Sequence, residues 1–207
     1  FSQYKGQIML FKRALEQSII PLLTKNKVIL IMGTRRVGKT VLINQVRGQF
    51  QGESQVLNAE DFDVQELLRN RSLANYRRIV GNTQLLIIDE AQAIPEIGQM
   101  LKLMIDGIPS LTILATGSSS FDLTNRTGEP LTGRQYTLQL FPLAQMEIGA
   151  IETALETRQN LEERLVFGSY PELFQTASLK EKATYLHDLV QSYLLKDILM
   201  YEGIQHA

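Results

Sequence analysis

Gly33-Thr34-Arg35-Arg36-Val37-Gly38-Lys39-Thr40 is the stretch from which the rest of the chain can be read. It places a glycine, four variable residues, then Gly, Lys and Thr, the pattern of a loop that cradles phosphate. The chemistry asks for glycines because the backbone must curl until successive N–H groups face one point, and side chains there would block the anion. Just before the loop, residues 28–32 are an apolar run of strand length. Just after it, Val41, Leu42, Val46 and Phe50 recur on one helical face, and Gly52 stops the run. Strand, glycine-rich turn and helix are the setting the motif demands, and the helix start adds its positive end and unpaired N–H groups to the same anion.

Gly33, Thr34, Arg35, Arg36, Val37, Gly38, Lys39, Thr40 and the adjoining Val41 are therefore the expected nucleotide-binding residues. Lys39 carries the charge that reaches the β and γ phosphates, and the Thr40 hydroxyl is a ligand for Mg²⁺. Working outward, residues 85–88 form another apolar run, buried on both faces in a parallel sheet, and it ends in Asp89 and Glu90. Carboxylates at the C-terminal end of a buried strand stand where ligands bind in open α/β sheets. Asp89 is the expected Mg²⁺ partner of Thr40, and Glu90 the residue that polarises an attacking water. The alternative for both is a turn and a helix cap.

Further strands are expected at 55–57, 111–115 and 135–140, and helices at 4–23, 64–68, 73–80 and 97–105, with a long polar loop at 117–133. Beyond Pro142 only helical patterns follow, at 143–151, 155–167 and 179–201. The pattern predicts an α/β P-loop fold with a parallel sheet flanked by helices over residues 1–142, followed by a small helical subdomain over 143–207.

Composition narrows the function classes. The 207 residues are 44% hydrophobic and 21% charged, which excludes a wholly disordered chain. Lys and Arg number 21 against 22 Asp and Glu, so no global basic field exists to hold nucleic acid or an anionic membrane. There is no Cys and only His187 and His206, which excludes disulfide frameworks, thiol catalysis and zinc sites built from Cys and His. Residues 28–32, the longest apolar run near the start, fall far short of the roughly 20 residues of a membrane helix, so no membrane partner is expected. The first residue is Phe1, as expected of a fragment.

With GTRRVGKT at 33–40, LLIIDEAQ at 85–92, ILATGSSS at 113–120, LTGR at 131–134 and SYPEL at 169–173, the chain resembles the prokaryotic AAA-type P-loop ATPases that carry a C-terminal domain of unknown function. The resemblance implies binding of ATP and ADP with Mg²⁺, ATP hydrolysis, a cytoplasmic location and an association with DNA metabolism or defence. It further implies a DNA or protein partner reached through a C-terminal domain beyond this chain, with a homo-oligomer as an open alternative. It also implies a polar sensor of the γ phosphate at Ser118 or Ser119, with Ser119 counted among the catalytic candidates and a loop or capping role as the alternative.

Arg134, next to the fifth strand, is expected near the phosphate-bearing end of the sheet, acting on the nucleotide of its own or a neighbouring subunit. A structural pair with a carboxylate is the other reading. The expected activity is ATP hydrolysis that drives movement of a helical subdomain or further domain. Its alternative is a nucleotide-dependent switch with incidental hydrolysis.

Overall fold

The computed structural model describes residues 10–23, 26–118 and 131–191. Five strands, β1 (Val28–Met32), β2 (Ser54–Asn58), β3 (Leu85–Asp89), β4 (Thr112–Gly117) and β5 (Gln135–Gln139), form one sheet in the order β2-β3-β4-β1-β5. Every pairing is parallel. The order explains the sequences: β1, β3 and β4 are interior and almost wholly buried, whereas β2 and β5, at the edges, mix polar and apolar residues and are only partly covered.

Alternate residues of the interior strands feed opposite faces. Val28, Leu30, Met32, Leu86, Ile88, Ile113 and Ala115 join one core with residues of α3 (Phe62–Arg69), α4 (Leu73–Val80) and α5 (Ile97–Gly107), among them Leu68, Tyr76, Met100, Leu101 and Met104. Ile29, Ile31, Leu85, Ile87 and Leu114 leave by the other face and are fully buried, as is Leu42 of α2 (Lys39–Gln49), a helix that packs on β4. Truncating any one of these to Ala would cost about 2–5 kcal/mol.

The chain divides into two compact units. One holds Leu15–Thr34 and Lys39–Leu140, and therefore the whole sheet; the other holds the residues up to Ala14, Arg35–Gly38 and the residues from Phe141 onward. In this grouping the middle of the phosphate loop belongs with the helical part. In that helical part, α6 (Gln145–Ile148), α7 (Ala154–Gln159), α8 (Leu161–Phe167) and α9 (Leu179–Leu189) are short. Phe11, Leu143 and Ile148 form one small cluster with Phe174; Leu173, Tyr185 and Leu189 form another. Burial, helped by the charge of Glu172, pushes the Tyr185 phenol up to about 12.

Two expected helices differ. Of the expected helix 4–23, residues 4–9 lie outside the described residues, residues 10–13 are not helical, and α1 (Ala14–Ile19) begins at Ala14. Its first N–H, from Ala14, is taken by Glu147 Oε1 at 2.7 Å, a distant acceptor that apolar spacing does not reveal. The run 155–167 splits at Asn160, where Asn160 N donates to Glu156 O and closes α7. The run 179–201 is helical through Leu189, and residues 192–207 lie outside the described residues.

Candidate functional site

Met32 ends β1 and the chain turns at once into the loop, where Gly33 N donates to Gly117 O at the end of β4. Gly38 has φ +101°, which suits a residue without Cβ, and Arg36 has φ 61°, which for a side-chain-bearing residue costs about 1–2 kcal/mol. Strain of this kind persists only where the surroundings impose it, as in ligand-clamping loops. The Arg36 guanidinium stands 3.5 Å from Glu172 Oε2 and 5.5 Å from the Tyr185 ring. Val37 is fully buried and its carbonyl accepts from Arg13; Thr34 and Arg35 are half-buried, and Val41 is exposed on the first turn of α2.

Lys39 opens α2 and is only 4% exposed. Its Nζ donates to Gly33 O at 3.0 Å and to Thr34 O at 3.2 Å, and Glu90 Oε1 stands 3.9 Å away. A buried ammonium needs such acceptors, and carbonyls of the loop itself supply them. One residue on, Thr40 Oγ1 donates to Asp89 Oδ2 at 2.8 Å. The sequence residues expected to share a metal are thus in direct contact.

Glu90 follows β3 in a left-handed conformation, φ 52° and ψ 45°. Its N–H donates to Thr116 Oγ1 at 2.9 Å and to Asp89 Oδ1 at 3.2 Å, and the Thr116 hydroxyl donates in turn to Asp89 Oδ1. Glu90 Oε2 accepts from Gln92 Nε2, while Gln92 Oε1 is buried without a partner among the described residues. The strained backbone turns the Glu90 carboxylate toward Lys39 rather than letting it continue the alternation of the strand.

Sequence reasoning missed Thr116 and Gln92. Thr116 is fully buried, in register with Ile31 and one step before the residue paired with Met32. A hydroxyl at the C-terminal end of a buried interior strand was the available signal. Ser118 is buried just after β4, and Ser119 lies outside the described residues. Gln92 stood within the quoted motif without a role.

Arg134 is a correction. Its carbonyl accepts from Val28 N at 2.9 Å, and Gln135 is in register with Val28, the first residue of β1. In a parallel sheet that is the end opposite the loop, about 16 Å of strand away. There its Nε donates to Asp106 Oδ1 at 2.6 Å, and this bond and the charge of Asp106 push the guanidinium above its ordinary value. Arg134 cannot touch a nucleotide held by the loop of its own chain.

The donor set fits Mg²⁺. A hydroxyl and a carboxylate are hard oxygen ligands, and magnesium bound with nucleotide takes one or two such groups, the rest of its shell coming from phosphates and water. Among the described residues no group of three or more His, Cys, Asp or Glu gathers, so no all-protein metal cage stands there. No helix among them is long and apolar enough to cross a membrane.

The chain is 26% identical over 213 residues to an uncharacterized protein of Methanocaldococcus jannaschii, covering 94% of this chain and 46% of that protein. It is 28% identical over 174 residues to an uncharacterized protein of Mycobacterium tuberculosis, covering 83% of this chain and 36% of that one. The chain thus spans under half the length of these curated relatives. Among solved structures, a Walker-type ATPase of Pyrococcus abyssi has the same fold, with a TM-score of 0.55 at 13% identity over 94% of this chain and 76% of that one. A family profile described as AAA domain matches residues 25–149, which take in the loop, Asp89, Glu90 and all five strands. By that match over more than half its length, the chain belongs to the AAA domain family.

Proposed function

We propose that this chain binds Mg-ATP on the loop 33–40 and hydrolyses it, using the nucleotide cycle to move an attached or partner domain. The observation that carries the reading is the 2.8 Å bond between Thr40 Oγ1 and Asp89 Oδ2, which joins the two motifs at one point. In this reading the N–H groups of the loop and of the first turn of α2 hold the phosphates, and Lys39 supplies the positive charge on the β and γ groups. Thr40 and Asp89 would hold Mg²⁺, which neutralises phosphate charge when bound. Glu90 orients and deprotonates the attacking water, with Thr116 fixing its backbone and Gln92 its carboxylate. Ser118 and Ser119 remain candidates for contact with the γ phosphate. A driven DNA or protein partner, a homo-oligomer and a cytoplasmic setting belong to the same proposal.

One observation favours a slower, switch-like version. Both Glu90 oxygens are engaged, Oε1 near Lys39 and Oε2 by Gln92, so the base must be released before it can meet water. The test of the proposal is calorimetric titration with Mg-ATP. The wild type should bind and Lys39→Ala should lose at least about a hundredfold in affinity, because a desolvated charge on phosphate is removed. Equal affinity in the two proteins would contradict the site.

A further inference from the structure

Arg13 stands twenty residues before the loop in sequence and is 4% exposed. Its guanidinium is spent on three separate segments. Nη1 donates to Val37 O at 2.9 Å, Nη2 to Phe141 O at 2.6 Å, and Nε to Glu147 Oε1 at 3.1 Å. The Glu147 carboxylate is in turn filled by backbone donors, Ala14 N on Oε1 at 2.7 Å and Ala144 N on Oε2 at 2.9 Å. A buried ion pair is weak evidence for stability in itself, but its fixed, multiply hydrogen-bonded geometry specifies the position of whatever it holds.

What it holds is a peptide plane of the phosphate loop. The Val37 carbonyl and the Gly38 N–H belong to one planar trans unit and point in opposite directions. A guanidinium that anchors the carbonyl from one side therefore aims the Gly38 N–H to the other. Gly38, at φ +101° and without a Cβ, could otherwise rotate this unit at little cost. Arg suits the task because its planar fork offers donors in fixed directions, whereas a Lys ammonium cannot reach three acceptors in that geometry.

We propose that Arg13 is a positioning residue of the phosphate loop, locking the Val37–Gly38 peptide in the orientation that presents the Gly38 N–H to phosphate. The same guanidinium ties that orientation to Phe141 and Glu147, so displacement of either residue unlocks the loop and lowers nucleotide affinity. This rests on the reading of the loop 33–40 as the ATP site.

The experiment compares wild type, Arg13→Lys and Phe11→Leu, the last loosening the adjoining apolar cluster with Arg13 in place. Melting curves set an assay temperature at which each is folded, with Arg13→Gln replacing any Arg13→Lys sample that melts too low. Two readouts follow: Mg-ATP affinity, and amide hydrogen exchange of residues 35–40 without nucleotide. Arg13→Lys should bind at least tenfold more weakly and exchange at least tenfold faster over 35–40, with β1 and β4 unchanged. Phe11→Leu should stay within threefold in both despite a lower melting temperature. An Arg13→Lys protein with wild-type exchange and affinity, or losses in both variants that follow melting temperature alone, would overturn the proposal. A wild type that bound no Mg-ATP would contradict the ATP reading, and the exchange rates would still decide whether Arg13 fixes the loop.

Discussion

At the C-terminal ends of the strands an ammonium, a hydroxyl and two carboxylates converge. Lys39 is 4% exposed, Thr40 touches Asp89, and Glu90 is held in a strained turn by Thr116. At the N-terminal ends of the same sheet stand residues of similar type, but Arg134 and Asp106 form a pair with side chains 39% and 44% exposed, and Lys27 donates to Gly133 O and lies over the Tyr136 ring. A surface cavity of about 490 Å³ lies there, lined by Asn26, Lys27, Asp106 and Arg134 among others. Charge is present at both ends. The first end adds burial of its cation and the start of α2, whose dipole favours an anion, features that make a charge act on a ligand instead of on solvent.

The sharpest way to break this contrast is Glu90→Gln. Gln keeps the shape and the bond with Gln92 but loses basicity, so turnover should fall by about 10²–10⁴ while Mg-ATP affinity stays within a few-fold. Turnover at the wild-type rate, in a phosphate-release assay, would reduce Glu90 to a structural cap.

A smaller effect is expected from Thr116→Val, which removes the hydroxyl that joins Asp89 to the Glu90 N–H in a fully buried position. Leaving those groups short of a partner costs about 1–3 kcal/mol. Turnover should drop by about tenfold, the loss a displaced base of that energy implies, and thermal melting should fall with it. Unchanged turnover with a lower melting temperature would show that Thr116 serves the fold alone.

The smallest effect belongs to the other end. Arg134→Ala should leave turnover and affinity within about twofold, as for a surface substitution away from the site. A tenfold loss of turnover would mean that Arg134 reaches a neighbouring copy, and mixing that variant with Lys39→Ala protein would then restore activity.

These residues also mark where the sequence was legible. The loop, Lys39 and Thr40 were readable because their geometry is local: a strand, eight residues and a helix suffice. Asp89 and Glu90 were readable because an apolar strand points at them. Arg134 was placed at the wrong end, although parallel pairing already required that a residue preceding a strand lie away from a loop that follows one. Arg13 was invisible for a different reason: its partners are set by tertiary packing, across 24 to 134 positions, and an Arg beside an apolar run reads as a solvated face.

The most direct measurement is hydrogen exchange along the whole chain with and without Mg-ATP. The account predicts slower exchange over residues 33–40 and 89–92, where the loop and the carboxylates meet, and no change over residues 105–107 and 132–136 at the opposite end of the sheet. Protection at the Asp106 and Arg134 end, or at neither end, would contradict it.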